Sequence, residues 1–283
     1  MKYPLFFIIF YLVSLSLPTN AIVIRHDVDD KSYRANTSDF PALATFYIDG
    51  AHGTLIHPNW IVTAAHATFC IAPNTLVKVN GITRSIKQLY IHPEYTPGQS
   101  HDIALVELHQ PVLDVKAAKI YQQDDELGKK IWFIGIGGTG TGLLGETIDN
   151  AQNKGVLRMA QNTIIAAKGP LIKFDFNKGK NALPLEGVSG GGDSGGPAFI
   201  KTIDGFKILG ISSRPEGTFS KIGVYGIKEV YSRASFFQPW ITQIIKGNHT
   251  IRKELSVAKL TKLPAGLTQE ILPLVCKDIR LTN

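Results

Sequence analysis

Ser194 sits in Gly190-Gly191-Gly192-Asp193-Ser194-Gly195-Gly196-Pro197, with glycines on both sides. A serine hydroxyl is a weak nucleophile until a base takes its proton, and acyl transfer also needs backbone N–H groups aimed at the developing oxyanion. Glycines let the chain turn tightly and come close to a carbonyl group. The plain alternative is a flexible loop carrying an incidental serine. A base has to come from elsewhere, and eight histidines compete: His26, His52, His57, His66, His92, His101, His109 and His249. His66 closes the β-branched run Ile61-Val62-Thr63-Ala64-Ala65, so a strand would deliver it to a crowded place. Any single histidine is more often structural than reactive. Asp102 opens the apolar run Ile103-Ala104-Leu105-Val106. A carboxylate buried there could hold an imidazole in one tautomer, or it could simply start a strand at the surface.

The elements that would position these residues are short and β-branched or aromatic. The first set is Phe46–Ile48, Thr54–Ile56, Trp60–Thr63, Leu76–Val79, Ser85–Ile91 and Ile103–Leu108. Asp49-Gly50, Asn80-Gly81 and Pro97-Gly98 mark turns between several of them. The second set is Ile131–Ile136, Gly155–Met159, Thr163–Ala166, Leu171–Phe174, Pro197–Ile200, Phe206–Ile211 and Gly223–Val230. Strands at this spacing predict an antiparallel all-β protein built as two barrels or sandwiches. The polar stretch Tyr121 to Lys130 reads as their connector. Only Ser235–Lys246 predicts a helix, with Phe236, Trp240, Ile241, Ile244 and Ile245 on one face.

Composition narrows the classes. A chain of 283 residues, 44% hydrophobic and 19% charged, can build a core and is not disordered by composition. Its formal charge of +7 is scattered rather than blocked, which predicts no nucleic-acid partner. Two cysteines, Cys70 and Cys276, exclude a multi-bridge scaffold and a four-cysteine zinc module. The amino terminus reads as an address: Lys2, an apolar run from Leu5 to Leu17, then Pro18-Thr19-Asn20-Ala21. That run is too short to span ~30 Å of hydrocarbon as a helix, so residues 1–21 are expected to be a cleavable secretory signal rather than an anchor. The mature chain is expected to be secreted or periplasmic, free of the membrane and monomeric.

Thr63-Ala64-Ala65-His66, Asp102-Ile103-Ala104-Leu105 and Gly192-Asp193-Ser194-Gly195-Gly196-Pro197 resemble the three signature blocks of the trypsin/chymotrypsin-like serine endopeptidases. The order His, Asp, Ser is also that family's, unlike α/β-hydrolases and subtilisins. Weaker echoes are Gly53-Thr54-Leu55-Ile56, His92-Pro93-Glu94-Tyr95, Gly210-Ile211-Ser212-Ser213 and Gly223-Val224-Tyr225, so that the resemblance covers about residues 22 to 246. It implies two six-stranded antiparallel β-barrels with the active site in the cleft between them, followed by a helix and a C-terminal tail. The units would be residues 22–125 with His66 and Asp102, 126–246 with Ser194, and an extension over 247–283. Ser194 would attack the scissile carbonyl of a protein or peptide, His66 would move the proton, and Asp102 would orient His66. The N–H groups of Gly192 and Ser194 would form the oxyanion hole, and no metal or organic cofactor is implied. The rival from another class is a catalytically silent binding module on the same fold.

Departures from the family are informative. Ala51, Ala67, Ile131 and Gly190 stand where cysteines are usual, which marks a cysteine-poor branch of bacterial style. Cys70 and Cys276 match no usual position; they are expected to bond and staple the tail near His66, or else to be two separate buried thiols. Family members commonly free an Ile-Val terminus whose ammonium pairs with the aspartate before the serine. Here Ile22-Val23 follows Ala21, so signal cleavage itself would create an Ile22 amine for Asp193, although Ile24-Arg25 replaces the usual Gly-Gly. Cutting after Arg25 or Arg34 would leave Asp193 another partner. Alignment on the serine block places Val188 at the floor of the primary pocket, with Ser189, Ser213 and Gly223 lining it. A neutral floor implies small or apolar rather than basic P1 residues. Arg214-Pro215 replaces an aromatic-glycine pair, and Pro215 cannot donate a backbone bond to an extended substrate.

Three segments remain. Gly135-Ile136-Gly137-Gly138-Thr139-Gly140 matches the G-x-G-x-x-G dinucleotide pattern, but no amphipathic helix follows and βαβ alternation is absent, so a barrel loop is expected. In the tail, Leu267, Ile271, Leu274 and Val275 fall at helical spacing, which predicts packing against the barrels, with partner docking or a secretion role as the alternative. Asn36-Thr37-Ser38 and Asn248-His249-Thr250 are glycosylation sequons, meaningful only in a eukaryotic host.

Overall fold

Six strands of the first half close on themselves: Leu43–Tyr47, Gly50–His57, Trp60–Thr63, Ala104–Leu108, Ile82–Ile91 and Leu76–Val79, in that spatial order. They are seen in a computed structural model that describes residues 22–217, 221–264 and 266–282; the expected signal segment lies outside them. Closure removes the exposed sheet edges that would otherwise template aggregation. The barrel interior is filled by side chains such as Leu55, Ile61, Val77, Ile86 and Leu105, all fully buried. Ile61 faces Val106 and Val62 faces Leu105 in the antiparallel ladder.

The second half forms one long, mostly antiparallel sheet. Its order is Arg158–Thr163, Lys130–Gly135, Pro197–Thr202, Gly205–Glu216, Lys228–Arg233, Leu171–Asp175 and Ala166–Lys168, with Lys119–Ile120 added beside Gly205–Glu216. The fold is therefore mostly β, a closed six-stranded barrel beside a half-barrel, as in the two-barrel trypsin-like fold. Phe133, Phe174 and Tyr231 stack within the second core. Ile22–Ile24 joins a separate small sheet, parallel to Thr139–Thr141 and antiparallel to Gly187–Val188.

Several boundaries move from their expected places. The strand expected at Gly223–Val230 runs instead over Lys228–Arg233. Gly223 and Gly226 have φ of +78° and +85°, so the chain is still turning there. The strand expected at Gly155–Met159 starts at Arg158, because Lys154 and Gly155 also take positive φ. The helix runs Ala234–Lys246 and buries Phe237, Trp240, Ile241 and Ile244. It stops at Gly247, whose N–H caps the Gln243 carbonyl and where a Cβ would come within 2.4 Å of that oxygen. In the connector, buried Glu126 accepts from the Arg233 guanidinium and from Ser235, anchoring the start of this helix.

The tail packs back on the first barrel. Val257 exchanges backbone bonds with Ile91, the Trp240 indole N–H donates to the Leu255 carbonyl, and Arg252 lies over Trp60 and Tyr90. Leu272–Ile279 is a helix that buries Cys276 while Leu274 stays exposed. Cys276 is bonded to Cys70, four residues after His66.

Candidate active site

The barrel and the half-barrel must meet for residues so far apart in sequence to touch, and here they do. The strand Trp60–Thr63 ends one turn before His66, which begins the turn His66–Thr68. Asp102 lies just ahead of the central strand Ala104–Leu108, beside His101 in a left-handed conformation. Ser194 comes from the second half, immediately before the strand Pro197–Thr202.

The His66 Nδ1 lies 2.7 Å from Asp102 Oδ2, and the His66 Nε2 lies 2.7 Å from Ser194 Oγ. The other Asp102 oxygen accepts the His66 backbone N–H at 2.9 Å. Ser213 Oγ donates to Asp102 Oδ2 at 2.7 Å, and Ser232 Oγ donates to the Asp102 carbonyl. With these donors in place, Asp102 can only accept from Nδ1–H, which leaves Nε2 bare and facing the serine. Burial opposes charging either group, yet the mutual attraction wins on both: it holds the Asp102 carboxyl below its ordinary range and lifts His66 above the ordinary histidine value. The N–H groups of Gly192 and Ser194 have no intramolecular acceptor among the described residues, whereas those of Asp193, Gly195 and Gly196 do.

This geometry can move a proton from a hydroxyl to an imidazole beside two free amide donors. Residues 30–241 match the family model described as Trypsin. The chain belongs to the trypsin family. It is 29% identical over 215 residues to a trypsin of Saccharopolyspora erythraea, covering 68% of this chain and 89% of that protein. It is 25% identical over 216 residues to scolexin B of Heliothis virescens, covering 68% and 74%. A third relative, vitamin K-dependent protein C of Rattus norvegicus, is 26% identical over 216 residues, which is 45% of that protein's length. Trypsin-family membership supports a serine endopeptidase in general, acting on proteins or peptides.

Within the trypsin-family frame, Asp193 is buried and its carboxylate accepts the amides of Gly137 and Gly190, both at 2.8 Å. The G-x-G-x-x-G stretch is thus a wrapping around Asp193: a Cβ on Gly135 would stand 2.1 Å from Asp193 Oδ1, and one on Gly137 2.6 Å away. Burial pushes the Asp193 carboxyl up to about 7 despite those amides. His52 Nε2 is 3.8 Å from Asp193 but accepts the Ile136 N–H, so it is a neutral acceptor there. Burial pushes His52 down to about 4. Ile22 lies in the neighbouring small sheet, where Thr139 Oγ1 donates to its carbonyl at 2.7 Å. With Ile22 still inside the chain, amides rather than a terminal ammonium hold Asp193.

The cavity beside Ser194 holds part of the expected lining. About 110 Å³ in volume, it is lined by Ser189, Ser213 and their neighbours, but not by Val188 or Gly223. Both of those are taken up by the small sheet: Val188 is fully buried opposite Val23, and a Cβ on Gly223 would press on Val23 at 2.4 Å. The valine–tyrosine pair beside the cavity is Val230-Tyr231, six positions after Val224-Tyr225. Tyr231 faces Ser212 in the ladder and its hydroxyl bonds Ser189 Oγ at 2.6 Å. This register brings Glu229 to the cavity wall. Sequence reasoning missed Glu229 because two Val-Tyr pairs compete, and only strand pairing chooses between them.

Proposed function

We propose that this chain is an exported serine endopeptidase that cleaves protein or peptide chains through His66, Asp102 and Ser194 by way of an acyl-enzyme. The observation that carries the reading is the pair of 2.7 Å contacts that string Asp102, His66 and Ser194 together. Ser194 Oγ attacks the scissile carbonyl carbon as its proton passes to His66 Nε2, and the carbonyl π electrons move onto oxygen. The N–H groups of Gly192 and Ser194 meet that oxyanion, each donor worth about 3–4 kcal/mol of transition-state stabilisation. Collapse breaks the C–N bond, and the leaving amine takes the proton from Nε2. Water then attacks the ester with His66 again as base, which releases the acid and restores Ser194. Asp102 stays ionised throughout and stabilises the imidazolium.

The apolar leader before Ile22 supports export to the periplasm or beyond, with the mature enzyme acting as a monomer away from membrane and nucleic acid. Cleavage after Ala21 would free an Ile22 ammonium beside the loop that wraps Asp193, a cation for a carboxylate that accepts the Gly137 and Gly190 amides. A mature mass starting anywhere but Ile22 would remove that activation route. The neutral Val188 expected at the pocket floor and the serines lining the cavity support a small or apolar rather than basic P1 residue. The decisive experiment is labelling of the purified protein with a small fluorophosphonate. Labelling is expected in the wild type and absent in Ser194→Ala; a wild type that resists the reagent and cleaves no peptide would end the reading.

A further inference from the structure

Glu146 is a second acid at the serine loop, beside Asp193, and has no part in the proton path. It sits on the short strand Gly145–Ile148, opposite Gly140, where the ladder shifts register between Thr139 and Gly140. Such an irregularity re-aims a side chain, and here the carboxylate enters the space between the glycine run and the serine loop. A Cβ on Gly138 would stand 2.5 Å from Glu146 Oε1, and one on Gly191 would stand 3.2 Å from it. Glu146 Oε2 accepts the Gly191 N–H at 2.6 Å. The Gly191 carbonyl in turn accepts the Gly138 N–H at 2.5 Å. Both backbone polar groups of Gly191 are thus held from outside the serine loop.

The consequence falls on the next amide. The Gly191 carbonyl and the Gly192 N–H belong to one peptide unit, and a trans unit is planar, so the two point in opposite directions. With the carbonyl turned towards Gly138, the Gly192 N–H faces away from it and meets no acceptor among the described residues. A link between two glycines otherwise rotates easily, because no Cβ restricts either side. A rotated unit would offer the cleft a carbonyl in place of a donor. Keeping Glu146 here is unfavourable for its neighbour, since its charge adds to what raises the buried Asp193 carboxyl.

We propose that Glu146 is a positioning residue for the oxyanion hole: by holding the Gly191 N–H, it keeps the Gly191–Gly192 peptide turned so that the Gly192 N–H meets the developing charge. The inference rests on the reading of Ser194 as nucleophile and deepens it. What Glu146 supplies is an acceptor oxygen at the right reach.

The test sets Glu146→Leu, which removes the acceptor at similar volume, beside Glu146→Gln, which keeps an oxygen there. Loss of one oxyanion donor costs about 10²–10³ in kcat. On a peptide amide, Glu146→Leu is therefore expected to lose about 100-fold in kcat with KM within about threefold of wild type, and Glu146→Gln to recover most of that loss. A peptide aldehyde adds to Ser194 Oγ and sets the resulting oxyanion in the hole, whereas the matching peptide alcohol cannot add. The aldehyde should bind Glu146→Leu more weakly by a factor like the loss in kcat, and the alcohol as it binds the wild type. A residue that only braced the loop would weaken both ligands alike. Undiminished kcat in Glu146→Leu, or equal losses for aldehyde and alcohol, overturns the proposal. If Glu146→Leu does not fold, Glu146→Asp decides, because it keeps the charge but draws the oxygens back by a methylene. Its kcat should fall at least about tenfold below that of Glu146→Gln, and equal rates in the two overturn the inference. Fluorophosphonate labelling of the wild type reports Ser194 separately, and a wild type that neither labels nor cleaves ends the protease reading and this inference with it.

Discussion

The backbone N–H of His52, in the first barrel, donates to the carbonyl of Ser194, in the second half, at 2.7 Å. Next to it, Ala51 N–H donates to the Gly192 carbonyl at 2.7 Å. The serine loop is therefore tied by its own backbone to the strand that lies beside the one leading to His66. Glycine makes that approach possible: a Cβ on Gly195, where φ is +76°, would stand 2.2 Å from Thr63 Oγ1 and 2.3 Å from the His52 carbonyl.

Gly195→Ala should accordingly damage both stability and the site. A left-handed backbone with a clash against backbone atoms is expected to cost about 3 kcal/mol or more. Thermal unfolding should show the loss, and fluorophosphonate labelling should fall with it even in the fraction that remains folded. An alanine variant that melts and labels like the wild type would mean that the two halves are not held this closely.

Asp102→Asn separates orientation from bulk packing. An asparagine cannot accept from Nδ1–H with a charge, so the useful tautomer and the imidazolium both lose their support. A fall in kcat/KM of about 10⁴-fold at neutral pH is expected with little change in melting. The pH profile adds a sign. Since Asp102 lifts His66 above its ordinary 6.5, wild-type kcat/KM should rise with pH through a midpoint above that value. Residual activity of the variant should titrate at lower pH.

Glu229→Gln carries a thermodynamic prediction. The folded carboxyl titrates at about 8 against an ordinary 4.5, so the folded state holds its proton where the unfolded state has lost it. The stability this contributes is complete below about 4.5 and is lost as pH rises through 8. Glutamine has nothing to ionise. Variant and wild type should unfold alike near pH 4.5 and diverge steadily above it, with the variant ahead by on the order of 2–4 kcal/mol at pH 8.5. Parallel stability curves across that window would contradict it.

Removing the Cys70–Cys276 bridge should loosen the tail. The bond closes a separation of 206 residues, and the tail is otherwise held by contacts such as Ile48 N–H to the Ile279 carbonyl and the Arg280 guanidinium to the Cys70 carbonyl. The double variant Cys70→Ala, Cys276→Ala is expected to lose about 2–4 kcal/mol of stability. Protease nicking after Val257 at temperatures where the oxidised protein resists would report the release.

Much of the first barrel was legible because turn dipeptides such as Asp49-Gly50 and Asn80-Gly81 bracket short β-branched and aromatic runs that are buried nearly throughout. Trp60–Thr63 and Leu76–Val79 fall where their β-branched residues place them. The second half was harder. Its strands are punctuated by glycines that keep the chain turning, so Gly223 and Gly226 postponed a strand that local propensity started too early. The glycine run at Gly135–Gly140 carried a legible composition but an illegible purpose, because its reason is a carboxylate more than fifty positions away, reached through Gly137 N–H.

Residue type and order carried the all-β character and the three motif blocks that resemble the family, and through that resemblance the expected trio His66, Asp102 and Ser194, since these depend on short local patterns that survive without knowledge of distant partners. Only the folded chain decided that Val188 serves the small sheet, that His52 faces Asp193 as a neutral acceptor, and that Glu229 rather than a valine borders the cavity. Those outcomes depend on ladder register. A register is chosen by summed contacts across strands remote in sequence, and a shift of a few positions changes which side chain meets a substrate while leaving local propensity almost untouched.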